Sequence, residues 1–180
     1  MSVDTHTVAD KAKARASTST RPPLESPAPQ MVHAPISILT GDLPASAAAM
    51  IAAAAPVIGV DTETTGLSPR TDLLRLVQVH APTLGTWLLR ATDNSTKPNL
   101  ADLLANPNIT KVFHYAPFDL AFLPQVAPTR AQNVRCTRAA SKLLDPTLSH
   151  SLINVAAREL GATLTKGAAQ VSDWGADTLT

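Results

Sequence analysis

"VIGVDTETTGL", residues Val57 to Leu67, begins as an apolar strand and ends in a glycine turn, with Asp61 and Glu63 set where the apolar run stops. Successive strand residues face opposite sides, so Asp61 and Glu63 share one face of the strand. Like charges so placed repel, and each raises the other's pKa unless a cation lies between them. The pair therefore raises the question of a metal ion. The nearly unbroken apolar run ahead of it predicts a central strand covered on both faces.

Outward from this strand the pattern alternates. "LLRLVQVHA" (Leu73 to Ala81) and "GTWLLRA" (Gly85 to Ala91) read as strands lying antiparallel beside it. Upstream, "ISIL" (Ile36 to Leu39) reads as a short strand, and Leu43 to Ala55 as a helix that Asp42 is placed to cap and Pro56 ends. Downstream, "NLADLLAN" (Asn99 to Asn106) is a short crossover helix and "TKVFHY" (Thr110 to Tyr115) a second buried strand. "PFDLAFLPQ" (Pro117 to Gln125) opens with proline where a helix tolerates it, and "NVRCT" follows as a further short strand. "RAASKLLD" and "SLINVAAREL" read as helices, the second closed by Gly161. Antiparallel strands first and strand–helix alternation afterwards give an α/β domain, a mixed central β-sheet flanked by α-helices.

A chain of 180 residues is one domain, or one domain with a tail. Residues 1–33, rich in Ala, Ser, Thr and Pro with few apolar anchors, read as a flexible tail, and the ordered domain as residues 34–180. A formal net charge of +1 with 16% charged residues excludes a strongly basic surface and leaves room for a local basic groove. The single cysteine, Cys136, excludes an intrachain disulfide framework and a cysteine cage for a metal. The longest mostly apolar stretch, around Ala45 to Val60, is interrupted by Ser46 and Pro56 and is too weakly hydrophobic to span a bilayer, so no membrane partner is expected. No apolar segment follows a basic start, which points to an intracellular, cytoplasmic protein, with an organelle or the nucleus left open.

A third acid, Asp119, falls in the first turn of the helix after the second buried strand. If the two strands are neighbours, Asp61, Glu63 and Asp119 converge at one sheet edge, where α/β sheets bind ligands. Oxygen ligands of this kind suit Mg²⁺ or Mn²⁺ rather than zinc. Two such divalent cations roughly 4 Å apart would activate a water and offset charge on a leaving oxygen in phosphodiester hydrolysis. On spacing alone plainer readings stand beside this one: Asp119 as an acid complementing a helix dipole, and Asp61 and Glu63 as turn residues before Gly66.

"VDTETTGL" resembles the first motif of the DEDD superfamily of 3′–5′ exonucleases, and "KVFHYAPFDLAFL" resembles the second. "KGAAQVSDWGADTLT" is similar to the start of the third motif as the ribonuclease D family writes it, and the helices between motifs are also similar. Three motifs in order, over about Val57 to Thr180, are a strong signal where one would be weak. The resemblance implies an RNase H-like fold in residues 34–180 and a metal-dependent exonuclease. It would act on single-stranded RNA or DNA 3′ ends, RNA favoured, and release nucleoside 5′-monophosphates.

Carried over by position, the resemblance implies that Asp61 bridges two divalent cations, Glu63 holds the first and contacts the attacking water, and Asp119 serves the second. Leu67 matches a side chain that wedges against the terminal base, and a core leucine is the alternative by residue type. Thr62 and Thr64 would contact the terminal nucleotide, and Lys166 the substrate backbone. His114 reads as a buried, hydrogen-bonded structural residue, and Trp174 as an anchor for its segment. Arg70 and Arg75 read as phosphate contacts or as solvated strand residues. Tyr115 stands where the family commonly has Asn. The family's third motif continues to a Tyr and a last Asp beyond "LT", so the domain is expected to be incomplete at its C-terminus, with poor metal binding and slow cleavage. A non-catalytic nucleic acid-binding module and an aspartyl phosphotransferase centred on Asp61 are the competing readings.

Overall fold

The computed structural model describes residues 35–93, 95–164 and 174. The N-terminal tail expected over residues 1–33, Lys166, and all of the third motif except Trp174 lie outside the described residues. In chain order the elements are β1 (Ile36–Leu39), α1 (Ala45–Ala54), β2 (Val57–Thr64), β3 (Leu74–Ala81), β4 (Gly85–Arg90), α2 (Pro98–Ala105), β5 (Thr110–Phe113), α3 (Ala116–Phe122), β6 (Val134–Cys136), α4 (Thr137–Leu144) and α5 (Leu152–Leu160). A 3₁₀ turn, Leu123–Gln125, extends α3, because Pro124 cannot donate the next helical hydrogen bond.

The strands form one mixed six-stranded sheet in the order β1-β4-β3-β2-β5-β6. β2 pairs antiparallel with β3, and β3 with β4, as a meander joined by the short loop before Gly85. β2 then pairs in parallel with β5 across the α2 crossover, with Val57 opposite Thr110 and Gly59 opposite Val112. The central place of β2 is as expected, but its cover is not two-sided among the described residues. Ile58, Val60 and Thr62 are buried, whereas Val57 and Asp61 are exposed and Gly59 and Glu63 half-buried. An apolar run of Val, Ile and Gly masked a period-two strand that puts its acids on the more open face.

The core is the layer between this sheet and the helices, with Ile51, Ile58, Val77, Leu89, Leu100, Phe113 and Phe122 at its centre. The alanine-rich α1 turns Ala47 and Ile51 into it. Asp42 does not cap α1, whose N-cap is Pro44 with no side-chain bond. Its carboxylate instead accepts from the backbone N–H groups of Asn99 (2.6 Å) and Leu100 (3.2 Å) in the first turn of α2. A cap acts on whatever N-terminus lies nearest in space, and here α1 and α2 start side by side, with Asn99 Nδ2 donating to Leu43 O at 2.8 Å. α5 ends as expected, at Gly161 with φ 63°. Among the described residues no helix is long and apolar enough to cross a membrane.

Candidate active site

β2 and β5 are adjacent, so the two acid-bearing motifs meet at the ends of parallel strands. Asp61 and Glu63 emerge from one face of β2, and both accept from Gln78 Nε2 on β3, at 3.3 and 3.4 Å. Gln78 is the direct cross-strand partner of Asp61 in the ladder, which is why a single amide reaches both acids. Asp119 is 3% exposed in α3 and accepts a hydrogen bond of 2.7 Å from the hydroxyl of Thr62, which lies between the two acids in sequence.

The electrostatics are those of three carboxylates raised first by burial and, for Glu63 and Asp119, also by repulsion from neighbouring acids. Burial, then repulsion from Asp61 and Asp119, pushes Glu63 up to about 7. Burial, partly offset by the Thr62 hydroxyl, raises Asp119 to about 6. Burial of its carboxyl also raises Asp61, with the Thr62 backbone N–H and His114 pulling the other way. Mutual repulsion of this kind is what a divalent cation removes, and the oxygen-only donors match a hard ion. Among the described residues, no group of three or more His, Cys, Asp and Glu side chains is already gathered as a ligand cage. The chemistry of the donors fits a cation; a closed coordination set is not preformed.

The turn after β2 carries Leu67, which is 84% exposed, so it is not a core leucine. Thr64 Oγ1 donates to Gly66 O at 2.6 Å, and the Asp72 carboxylate accepts from Ser68 N at 2.7 Å, closing the turn. A Cβ on Gly66 would run into that carboxylate, which is why glycine stands there. Gln125, at the end of the 3₁₀ turn, pins the same loop: it accepts from Leu74 N (2.8 Å) and donates to Asp72 O (3.0 Å). Thr62 is buried with its hydroxyl committed to Asp119, and the Thr64 hydroxyl is committed to the turn.

His114 is held through both ring nitrogens, by Thr137 Oγ1 (2.8 Å) and His150 O (3.1 Å), and burial keeps its imidazole below the ordinary value. Both ring nitrogens are thus taken up within the fold. Tyr115 takes the left-handed conformation, φ 78° and ψ 47°, at the N-terminus of α3. Such a conformation costs a non-glycine residue roughly 1–2 kcal/mol and is easiest for Asn, the residue that Tyr115 replaces in the family pattern. Arg75 Nε donates to Trp174 O at 2.8 Å, tying the third motif to β3. Sequence reasoning missed Gln78, Gln125 and the Thr62–Asp119 bond. The signal available was the alternation of β3, which places Gln78 among apolar neighbours as a polar residue on a strand bordering the acids.

A family model described as a 3′–5′ exonuclease (DNA_pol_A_exo1) matches residues 36–180. Among solved structures, one titled "apo form of the nuclease" is 37% identical with a TM-score of 0.72, covering 82% of this chain and 70% of that one. Brucella melitensis NrnC bound to pGG is 33% identical with a TM-score of 0.69, covering 82% of this chain and 70% of its own. Escherichia coli RNase D shares the fold at 24% identity and a TM-score of 0.64, with 81% of this chain and 38% of that one covered. No curated protein matches the chain by sequence. With acids on β2 and on the helix that follows its parallel neighbour β5, and with this match over most of its length, the chain belongs to the DEDD 3′–5′ exonucleases of RNase H-like fold, hydrolases of nucleic acid.

Proposed function

We propose that the chain removes nucleotides from the 3′ end of single-stranded nucleic acid, RNA favoured, releasing nucleoside 5′-monophosphates with the help of two divalent cations, Mg²⁺ or Mn²⁺. The observation that carries this reading is the meeting of the two acid-bearing motifs, with Asp61 and Glu63 on one face of β2 sharing the Gln78 amide and Asp119 bonded to the intervening Thr62. A structure of Brucella melitensis NrnC with bound Mg²⁺, 32% identical, supports the choice of cation, and the pGG-bound one supports a short nucleotide substrate.

Asp61, Glu63 and Asp119 would hold the cations. When bound, the cations supply charge to the phosphoryl oxygens and make a hydroxide nucleophile accessible near neutral pH. Glu63 orients the attacking water through a carboxylate oxygen, Thr62 fixes Asp119, and Gln78 steadies Asp61 and Glu63. Exposed Leu67 lies against the terminal base, Thr62 and Thr64 offer backbone contacts to that nucleotide, and Lys166 serves the substrate backbone. In-line displacement then frees the terminal nucleotide with its 5′ phosphate.

The test is release of mononucleotides from labelled RNA and DNA single strands, in Mg²⁺, in Mn²⁺ and in EDTA, by the wild-type chain and Asp61→Ala. Cation-dependent release lost in Asp61→Ala is the expected result. Release that persists in EDTA, or in Asp61→Ala, sinks the proposal.

A further inference from the structure

Tyr115 and Arg138 stand beside the acids with no part in the chemistry proposed above. Tyr115 is 48% exposed, and the Arg138 guanidinium lies over its ring, 4.4 Å from the centroid. Among the described residues Arg138 makes no ion pair and no side-chain hydrogen bond, so the ring holds its charge in place while its donors stay open. The pair is close to the acids: Tyr115 is the N-cap of α3, the helix that carries Asp119, and it follows β5, which pairs in parallel with β2. Tyr115 also keeps a left-handed backbone that a bulky residue seldom adopts, and strain of this kind gathers at ligand sites. Nearly half of the residue remains in solvent, so the ring is not part of the core.

We propose that Tyr115 and Arg138 form a substrate-holding pair at the mouth of the acidic site, the ring stacking on a base and the guanidinium taking phosphate oxygens of the same single strand. This rests on the exonuclease reading and deepens it. Leu67 is given the terminal base, so the pair takes the nucleotide before it. One face of the ring carries the cation, and a base stacked on the other would make a sequence-tolerant contact. The arrangement also sets a positive charge at the rim of a negative site, where an anionic strand must first be drawn in.

The test uses the full chain and a fluorescently labelled short single strand, with binding read by anisotropy in EDTA so that no cleavage intervenes. Tyr115→Asn suits the left-handed backbone and removes the ring; it is expected to melt no lower than wild type and to bind about tenfold more weakly. Tyr115→Phe keeps the ring and is expected to bind like wild type. Arg138→Gln is expected to weaken binding and to lose the preference for a phosphate over an uncharged methylphosphonate at the linkage preceding the terminal one. Wild-type affinity in Tyr115→Asn, or an intact methylphosphonate preference in Arg138→Gln, overturns the proposal. Turnover measured in parallel with Mn²⁺ separates the two readings: binding that depends on the pair without any cleavage by the wild-type chain counts against the exonuclease reading alone.

Discussion

Thr62 and Asp119, 57 positions apart in sequence, are joined by a buried hydrogen bond of 2.7 Å that links the two acid-bearing motifs directly. The hydroxyl is the donor that keeps Asp119 from rising further, and the carboxylate has little water to turn to. Thr62→Val keeps the shape and removes the donor. It is expected to lower stability by about 1–3 kcal/mol, the cost of a buried acceptor left unpaired. Thr62→Ser should restore most of it, as read by denaturant titration.

The pH dependence follows from the burial of Glu63 and Asp119, with repulsion from neighbouring acids adding to it. Glu63 at about 7 and Asp119 at about 6 both lie above their unfolded values, so the folded chain binds more protons than the unfolded chain between roughly pH 4 and 7. Stability from these groups therefore falls as pH rises through that window and is recovered on acidification, the reverse of a salt-bridged acid. Thermal melts of the metal-free chain should show this slope, and Glu63→Gln should flatten it. Cations compete with those protons, so Mn²⁺ affinity by calorimetry should strengthen from pH 5 to 8.

Gln78 donates to Asp61 and Glu63 with one amide nitrogen. Gln78→Leu removes that donor and leaves the two carboxylates facing each other. The metal-free chain should lose about 0.5–1.5 kcal/mol, the range for a single hydrogen bond. A melt at saturating Mn²⁺ should show a smaller difference between variant and wild type, since the cation then relieves the repulsion.

Leu67, 84% exposed, contributes contacts to no core. Leu67→Ala should leave stability within about 0.5 kcal/mol of wild type. If the side chain works against the terminal base, the variant should still show a raised KM in the mononucleotide-release assay. Gln125→Ala acts from outside the site: it frees the loop that carries Leu67 and leaves Leu74 N without its acceptor. It should lower both stability and turnover.

The order of strands and helices was legible because each boundary carries a local signal: Pro56 after α1, Pro98 at the start of α2, Gly161 after α5. The acids were legible because a charge at the end of an apolar strand has few structural uses. What stayed hidden depends on neighbours distant in sequence. Asp42 sits before α1 yet caps α2, since capping follows proximity in space. Gln78 meets Asp61 only once the register of β2 and β3 is set. The open face of β2 was obscured because Val57 and Gly59 are apolar whether covered or not.

The parallel pairing of β2 with β5 also fixes when the site comes into being. Its first partner, β3, follows β2 directly, whereas β5 arrives only after β3, β4 and α2 have been passed. Closing so long an intervening stretch is slow compared with forming a hairpin, because its entropy must be spent before the contacts reward it. During synthesis Asp61 and Glu63 can thus sit on a formed meander while Asp119 is still elsewhere. The acids of the two motifs come together only in a chain whose central sheet is complete, so partly folded molecules carry the first motif without the second beside it.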